Sequence, residues 1–213
     1  MLVSRLNSHP NVRADGELFS HLNQRSHTRV LRKAFSRQPF YVKAKGFKIF
    51  YYHPHDDRTG RVWQELARVE GLHVIHLRRR NILRTLVSRK LAGLEDVWST
   101  TSPERGRAKQ REDLAVSFSV EELRQGFRET REWELAGDDR FRDQPLIGVT
   151  YEDLVALPTE TFRELTDFLG VPYRPPTTTL KKQNTRSLGQ TVTNYGELKA
   201  AFAGSEWEEF FED

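Results

Sequence analysis

The stretch "HVIHLRRRNILRTLVSRK" places a short β-branched run before three arginines and then passes straight into a helical pattern. Free N–H groups at a helix start attract anions, and arginine adds a planar fork that suits phosphate oxygens. Ser88 lies about two helical turns beyond Arg80, so a guanidinium and a hydroxyl can meet one anion. Arg79, one residue earlier, is an alternative to Arg80. The competing reading is a helix with a solvated basic face. A second cationic stretch, "LKKQNTR", offers Lys181, Lys182 and neighbouring amides to a phosphate, or simply solubilises a loop. In "HPHDD", His53, His55, Asp56 and Asp57 are metal-ligand types. They fall in one loop with no distant ligand to close a coordination shell, so no metal is expected.

Those residues need elements to hold them. Leu2, Val3 and Leu6 predict an amphipathic first helix, stopped by "NSHPN". "YVKAKGFKIFYY" alternates and predicts a strand, with Gly46 as a bulge or a close backbone approach. Lys48 then faces away from the Phe47–Ile49–Tyr51 row. "RVWQELARVEG" predicts a helix capped at Gly71. "LHVIHL" predicts a buried strand, and Asn81 caps the helix after it, whose apolar positions are Ile82, Leu83, Leu86, Val87 and Leu91. Residues 94–118 lose all period and predict a long, mobile loop. Ser119 and Glu122 form a capping box for a helix that closes at Gly137. "PLIGVTY" predicts another buried strand, and "TETFRELTDFLGVP" a helix ended by Gly170 and Pro172. Strands alternating with helices predict one α/β domain over residues 1–213, with a mainly parallel central sheet flanked by helices. Such a sheet binds ligands beyond the carboxyl ends of its strands.

Composition bounds the function. The 213 residues carry 37% hydrophobic and 30% charged side chains, enough for a real core. No apolar run is long enough to cross a bilayer, and no secretory signal pattern opens the chain. Cysteine is absent, which excludes disulfides, thiolate metal sites and cysteine nucleophiles, and suits a reducing, cytoplasmic setting. The net charge is only +4, so the clustering of arginine matters more than its excess.

In collinear order, five motifs resemble the PAPS-dependent sulfotransferases of the bacterial and carbohydrate type. They are "RLNSHPNVRADGELF", "GFKIFYYH", "VIHLRRRNILRTLVS", "VTYEDLVALPTETFRELTDFLGVP" and "LKKQNTRSLGQTVTNYGEL". The resemblance covers most of the chain. It implies the P-loop NTPase-like sulfotransferase fold and the donor 3′-phosphoadenosine 5′-phosphosulfate, with adenosine 3′,5′-bisphosphate as product and no metal. It implies that Arg80 and Ser88 hold the 3′-phosphate and that Tyr151 lies near the adenine. Lys181 and Lys182 would belong to a loop that closes over the cofactor. Glu17 resembles the general base that takes the acceptor's proton, with His53 as the reserve candidate. Lys48 would neutralise the sulfuryl group in flight. On residue type alone, Glu17 also reads as a solvated loop carboxylate, Lys48 as a solvated strand lysine and Tyr151 as a core aromatic.

The acceptor expected from this resemblance is a carbohydrate or another small hydroxyl compound, met by the loop at 94–118. The family's first strand and its Gly/Ser/Thr phosphate loop precede its first helix, and Met1 stands just after that place. The expectation is therefore a missing 5′-phosphosulfate half-site, an uncovered Leu2–Leu6 face and weak turnover. "SEWEEFFED" predicts that Trp207, Phe210 and Phe211 pack either on the core or on a second copy in a homodimer. A separate function class, a non-catalytic anion- or nucleic-acid-binding domain, would use the same arginine segment. No nucleic-acid-binding motif or interleaved aromatic platform supports it, so no nucleic acid is expected as partner.

Overall fold

The computed structural model describes residues 1–101, 114–177 and 186–212. Along them run α1 (Leu2–Asn7), β1 (Val12–Asp15), α2 (His27–Ala34), β2 (Ala44–Phe47), α3 (Arg61–Ala67), β3 (Val74–Arg78) and α4 (Ile82–Thr101). There follow α5 (Val120–Arg140), β4 (Leu146–Thr150), α6 (Tyr151–Ala156), α7 (Pro158–Phe168), α8 (Leu188–Thr191), α9 (Tyr195–Phe202) and a 3₁₀ turn (Glu208–Phe211). The chain divides into two compact units, Met1–Arg78 with Leu135–Lys181, and Arg79–Glu134 with Lys182–Asp213. Among the described residues no helix is long and apolar enough to cross a membrane.

The first unit holds all four strands. β1 pairs with β2 and β3 with β4, both in parallel, from Val12 opposite Ala44 to Asp15 opposite Phe47 and from Val74 opposite Leu146 to Arg78 opposite Thr150. Parallel neighbours need a crossover, and α2 lies between β1 and β2 in the chain. This is the α/β class with parallel strands that the alternation predicts, built as two two-stranded pairs. Successive residues of β3 and β4 divide between two apolar clusters. Val74 and Leu146 join Phe19, Leu31, Val62 and Trp63, whereas Ile75 and Ile147 join Leu6, Leu154, Phe162 and Leu165. A side-chain period of two produces that division.

The second unit is helical, with one parallel bridge between Val116 and Val192. Ile82, Leu83, Leu86 and Val87 of α4 pack with Leu123, Phe127, Phe202, Phe210 and Phe211. Trp207 leans on the same cluster, so the C-terminal aromatics serve the core of their own unit. Asn81 Oδ1 accepts the Arg84 N–H at 3.1 Å, and Ser119 and Glu122 form the capping box in both directions.

Several local expectations are corrected. The strand around Gly46 ends at Phe47, and Gly46 pairs in regular register with Ala14, with open space where a Cβ would stand. It is neither a bulge nor a close approach. α3 stops at Ala67, and Gly71 instead serves the next turn at φ +68°. α5 runs through Gly137 to Arg140, since a helix interior tolerates a glycine at modest cost; a Cβ there would come into contact with the His76 and Tyr51 rings. The aperiodic stretch from 94 is helical to Thr101, and Val116 and Phe118 are buried. Residues 102–113, the middle of the expected acceptor loop, lie outside the described residues. From Leu188 the expected cofactor-closing loop is helix, because Ser187 and Gln190 form a capping box. Leu6 is buried among Val12, Val149 and Leu154, so the apolar face of α1 is covered within its own unit.

Candidate active site

The register of β1 against β2 sets up the first group of residues. Asp15 lies opposite Phe47, so the residues just beyond these two parallel strands emerge together at their carboxyl ends. The Lys48 N–H donates to the Asp15 and Gly16 carbonyls at 3.1 and 3.2 Å, which ties the two exits side by side. Lys48 Nζ then reaches Glu17 Oε1 at 2.7 Å, across 31 residues of sequence. His53 Nε2 stands 3.8 Å from the other carboxylate oxygen, Oε2. Glu17, Lys48 and His53 are thus brought together. Lys48 also sits over the Phe50 ring, 4.1 Å from its centroid. The side chains of Lys48 and Glu17 are 41% and 36% exposed, while that of His53 is 1% exposed.

The hydrogen bonds of His53 define its tautomer. Nδ1 accepts the Phe50 N–H at 3.3 Å, so the neutral ring carries its proton on Nε2, the nitrogen that faces Glu17. The His53 carbonyl accepts the Trp63 indole N–H at 2.9 Å, which anchors the residue to α3. Burial lowers the His53 pKa below its ordinary value; Glu17 opposes that shift, while His55 and Lys48 add to it. His53 is a neutral, fixed donor beside a carboxylate. The other members of "HPHDD" have different work. Asp56 accepts the Leu22 and Asn23 N–H groups at 2.7 Å each, and Asp57 accepts that of Thr59 at 2.9 Å. These backbone bonds hold both carboxyls below their usual range. They are turn anchors.

The second unit carries the arginine segment. Arg80, just before α4, and Ser88, on α4, are both exposed, while Ile82, Leu83, Leu86 and Val87 of the helix are buried. Arg79 is half-buried, and its Nη1 donates to the Arg84 carbonyl at 3.5 Å. In the first unit, Tyr151 is half-buried at the first position of α6, directly after β4. Thr150 caps that helix by accepting the Asp153 N–H at 3.1 Å. Lys181 and Lys182 lie outside the described residues.

Known proteins bear on this arrangement. No protein-family model matches the chain, and no solved structure matches it. A nodulation protein H from Rhizobium tropici is 32% identical over 231 residues, covering 99% of this chain and 87% of its own length. The chain belongs to the nodulation protein H family. A nodulation protein H from Rhizobium meliloti strain 1021 is 28% identical over 226 residues, covering 99% of this chain and 89% of that protein.

This member of the nodulation protein H family also holds a polar cluster that its sequence did not announce. His76, buried on β3, contacts the Tyr51 hydroxyl through Nε2 and Asp138 Oδ1 through Nδ1, the latter at 2.8 Å. Arg78 Nη2 donates to Asp138 Oδ2 and lies 2.8 Å from His76 Nδ1. With the Nδ1 proton on Asp138, Nε2 accepts from Tyr51. Partial burial would raise the Asp138 carboxyl, but the His76 and Arg78 hydrogen bonds outweigh it and hold the pKa below the usual carboxylate value. A Cβ on Gly137 would stand 3.4 Å from His76 Cε1 and 3.5 Å from Tyr51 Cε1. The only signal in the sequence was a histidine inside the apolar run "HVIHL".

Proposed function

We propose that this chain is a sulfotransferase that moves a sulfuryl group from 3′-phosphoadenosine 5′-phosphosulfate to a hydroxyl of a carbohydrate or other small acceptor. The observation that carries the reading is the meeting of Glu17, Lys48 and His53 beyond the carboxyl ends of β1 and β2. Five collinear motifs that resemble sulfotransferases, and membership of the nodulation protein H family, support it.

Glu17 is the general base. Its carboxylate keeps lone pairs for an acceptor hydroxyl, whereas His53 is 1% exposed, its Nδ1 accepts from the backbone and its Nε2 carries the proton. His53 is a positioning residue that steers Oε2. Lys48 leaves Glu17 for developing negative charge on the transferred group as the carboxylate takes up its proton. The start of α4 suits the donor: an exposed arginine before the helix and an exposed hydroxyl within it are the chemistry that binds a phosphate. Arg80 and Ser88 would hold the 3′-phosphate, Tyr151 would sit by the adenine, and Lys181 and Lys182 would add cations. The donor, when bound, supplies the electrophilic sulfuryl group.

Calorimetric titration with adenosine 3′,5′-bisphosphate tests the donor. Saturable binding is expected, weakened roughly tenfold or more by Arg80→Ala or Ser88→Ala, the loss of a charge-assisted hydrogen bond. No binding, or binding indifferent to both substitutions, overturns the assignment.

A further inference from the structure

Between Glu17 and Asp56 the chain contains no aspartate or glutamate, yet it carries Arg25, Arg29, Arg32, Lys33, Arg37, Lys43, Lys45 and Lys48. α2 sorts its share of these by helical period. Val30, Leu31 and Ala34 are buried, while Arg29, Arg32 and Lys33 line the exposed side. Among the described residues, no carboxylate comes within ion-pair distance of any of these three, nor of Arg37, Lys43 or Lys45. The turn after α2 presents Phe35, Phe40 and Tyr41 at 36%, 88% and 43% exposure. Its backbone is fixed. Asn11 Nδ2 donates to the Tyr41 carbonyl at 2.6 Å, the Val42 N–H to Pro39 at 2.9 Å and the Lys43 N–H to Asn11 at 2.8 Å. A single exposed apolar residue is ordinary. A rigid tip of adjacent Phe and Tyr, placed between Arg37 and Lys43 and following a basic helix face, is a different surface.

We propose that the outer face of α2 and the 35–43 turn dock on an anionic bilayer surface. Phe40 and Tyr41 enter the boundary between headgroups and acyl chains, and the surrounding cations meet lipid phosphates. Charge complementarity selects an anionic partner, and the apolar tip selects one with a hydrocarbon layer. Duplex nucleic acid would use the cations and leave Phe40 in water. Attachment is peripheral and reversible, since it rests on two rings and a few charges. The proposal stands independently of the sulfotransfer reading.

Sedimentation of the full chain with phosphatidylcholine vesicles, with and without phosphatidylglycerol, is the test. Binding is expected only to the anionic vesicles and should fall steeply with added salt. Phe40→Ser with Tyr41→Ser should weaken it roughly tenfold or more, with an unchanged thermal melt. Each of Arg32→Gln, Lys33→Gln and Lys43→Gln should weaken it about fivefold. A Phe40→Trp variant should show a blue-shifted emission on the same vesicles. Equal binding to neutral vesicles, indifference to the Phe40 and Tyr41 changes, or an emission from the Phe40→Trp variant that the vesicles leave unshifted overturns the proposal. So does single-stranded DNA that displaces the vesicles and depends equally on Phe40, which would assign the surface to nucleic acid.

Discussion

Two polar clusters grow from one short segment of the first unit. Lys48 and His53 face Glu17, while Tyr51 between them turns to His76, Asp138 and Arg78. In the first cluster the carboxylate and ammonium are more than a third exposed, and their ion pair is of the kind that contributes at most about 1 kcal/mol. In the second, His76 is buried and both of its ring nitrogens are engaged within hydrogen-bonding distance. Polar groups with lone pairs to spare can act on something else. A cluster that has spent them holds the fold together. Neither residue type nor exposure separates the two, since each pairs a buried histidine with a carboxylate and a cation that are about a third exposed; bond saturation does.

The sharpest way to break this contrast is Glu17→Gln. Turnover should fall about 100-fold to 10,000-fold, the usual worth of a positioned general base, while denaturant unfolding shifts by less than about 1 kcal/mol. Undiminished turnover would remove Glu17 from the chemistry. His76→Ala should do the reverse. Removing the contacts of His76 with Tyr51 and Asp138 should cost about 1–3 kcal/mol in denaturant melts, with bisphosphate affinity kept in the folded fraction.

Acid titration should separate the clusters further. The folded pKa of His53 is lowered, so the unfolded chain binds the extra proton first. The stability tied to neutral His53 is complete above its unfolded pKa of about 6.5 and is lost as pH falls through that value towards the folded one. Asp138 is also lowered. Its contribution is present above the unfolded value, about 3.9, and is lost only as pH falls below that through the folded pKa. Unfolding free energy against pH should show two acid limbs, the upper one removed by His53→Gln and the lower one by Asp138→Asn. A single limb unaffected by His53→Gln would show that His53 is not held neutral by its burial.

The smallest expected effect is Gly137→Ala. Helix propensity favours alanine by about 1 kcal/mol, and the new Cβ meets the His76 and Tyr51 rings at 3.4 and 3.5 Å. The net change should lie within about 0.5 kcal/mol of zero, together with a shift in the His76 ring resonances. A full gain in stability would mean that the rings yield freely and the second cluster is looser than its bonds imply.

What the sequence determined by itself is short in range. The alternation of β3, α4, α5, β4 and α7, the Asn81 cap and the Ser119–Glu122 box depend on residues within a turn of one another and are legible, whereas β1 and α2 are not. Glu17, Lys48 and His53 could be nominated singly from resemblance, but nothing in their spacing joined them. Tertiary structure decided that Asp15 aligns with Phe47, and with it that a carboxylate and an ammonium 31 residues apart meet at 2.7 Å. It decided that buried His76 meets Asp138, 62 residues away, and that Gly137 continues a helix instead of ending one. Gly46 and Gly137 were both misread as local breaks, because a glycine's meaning depends on what packs against it. A parallel register is chosen by which apolar residues reach which cluster across the sheet, and that choice is made between segments far apart in the chain, where local pattern carries no information.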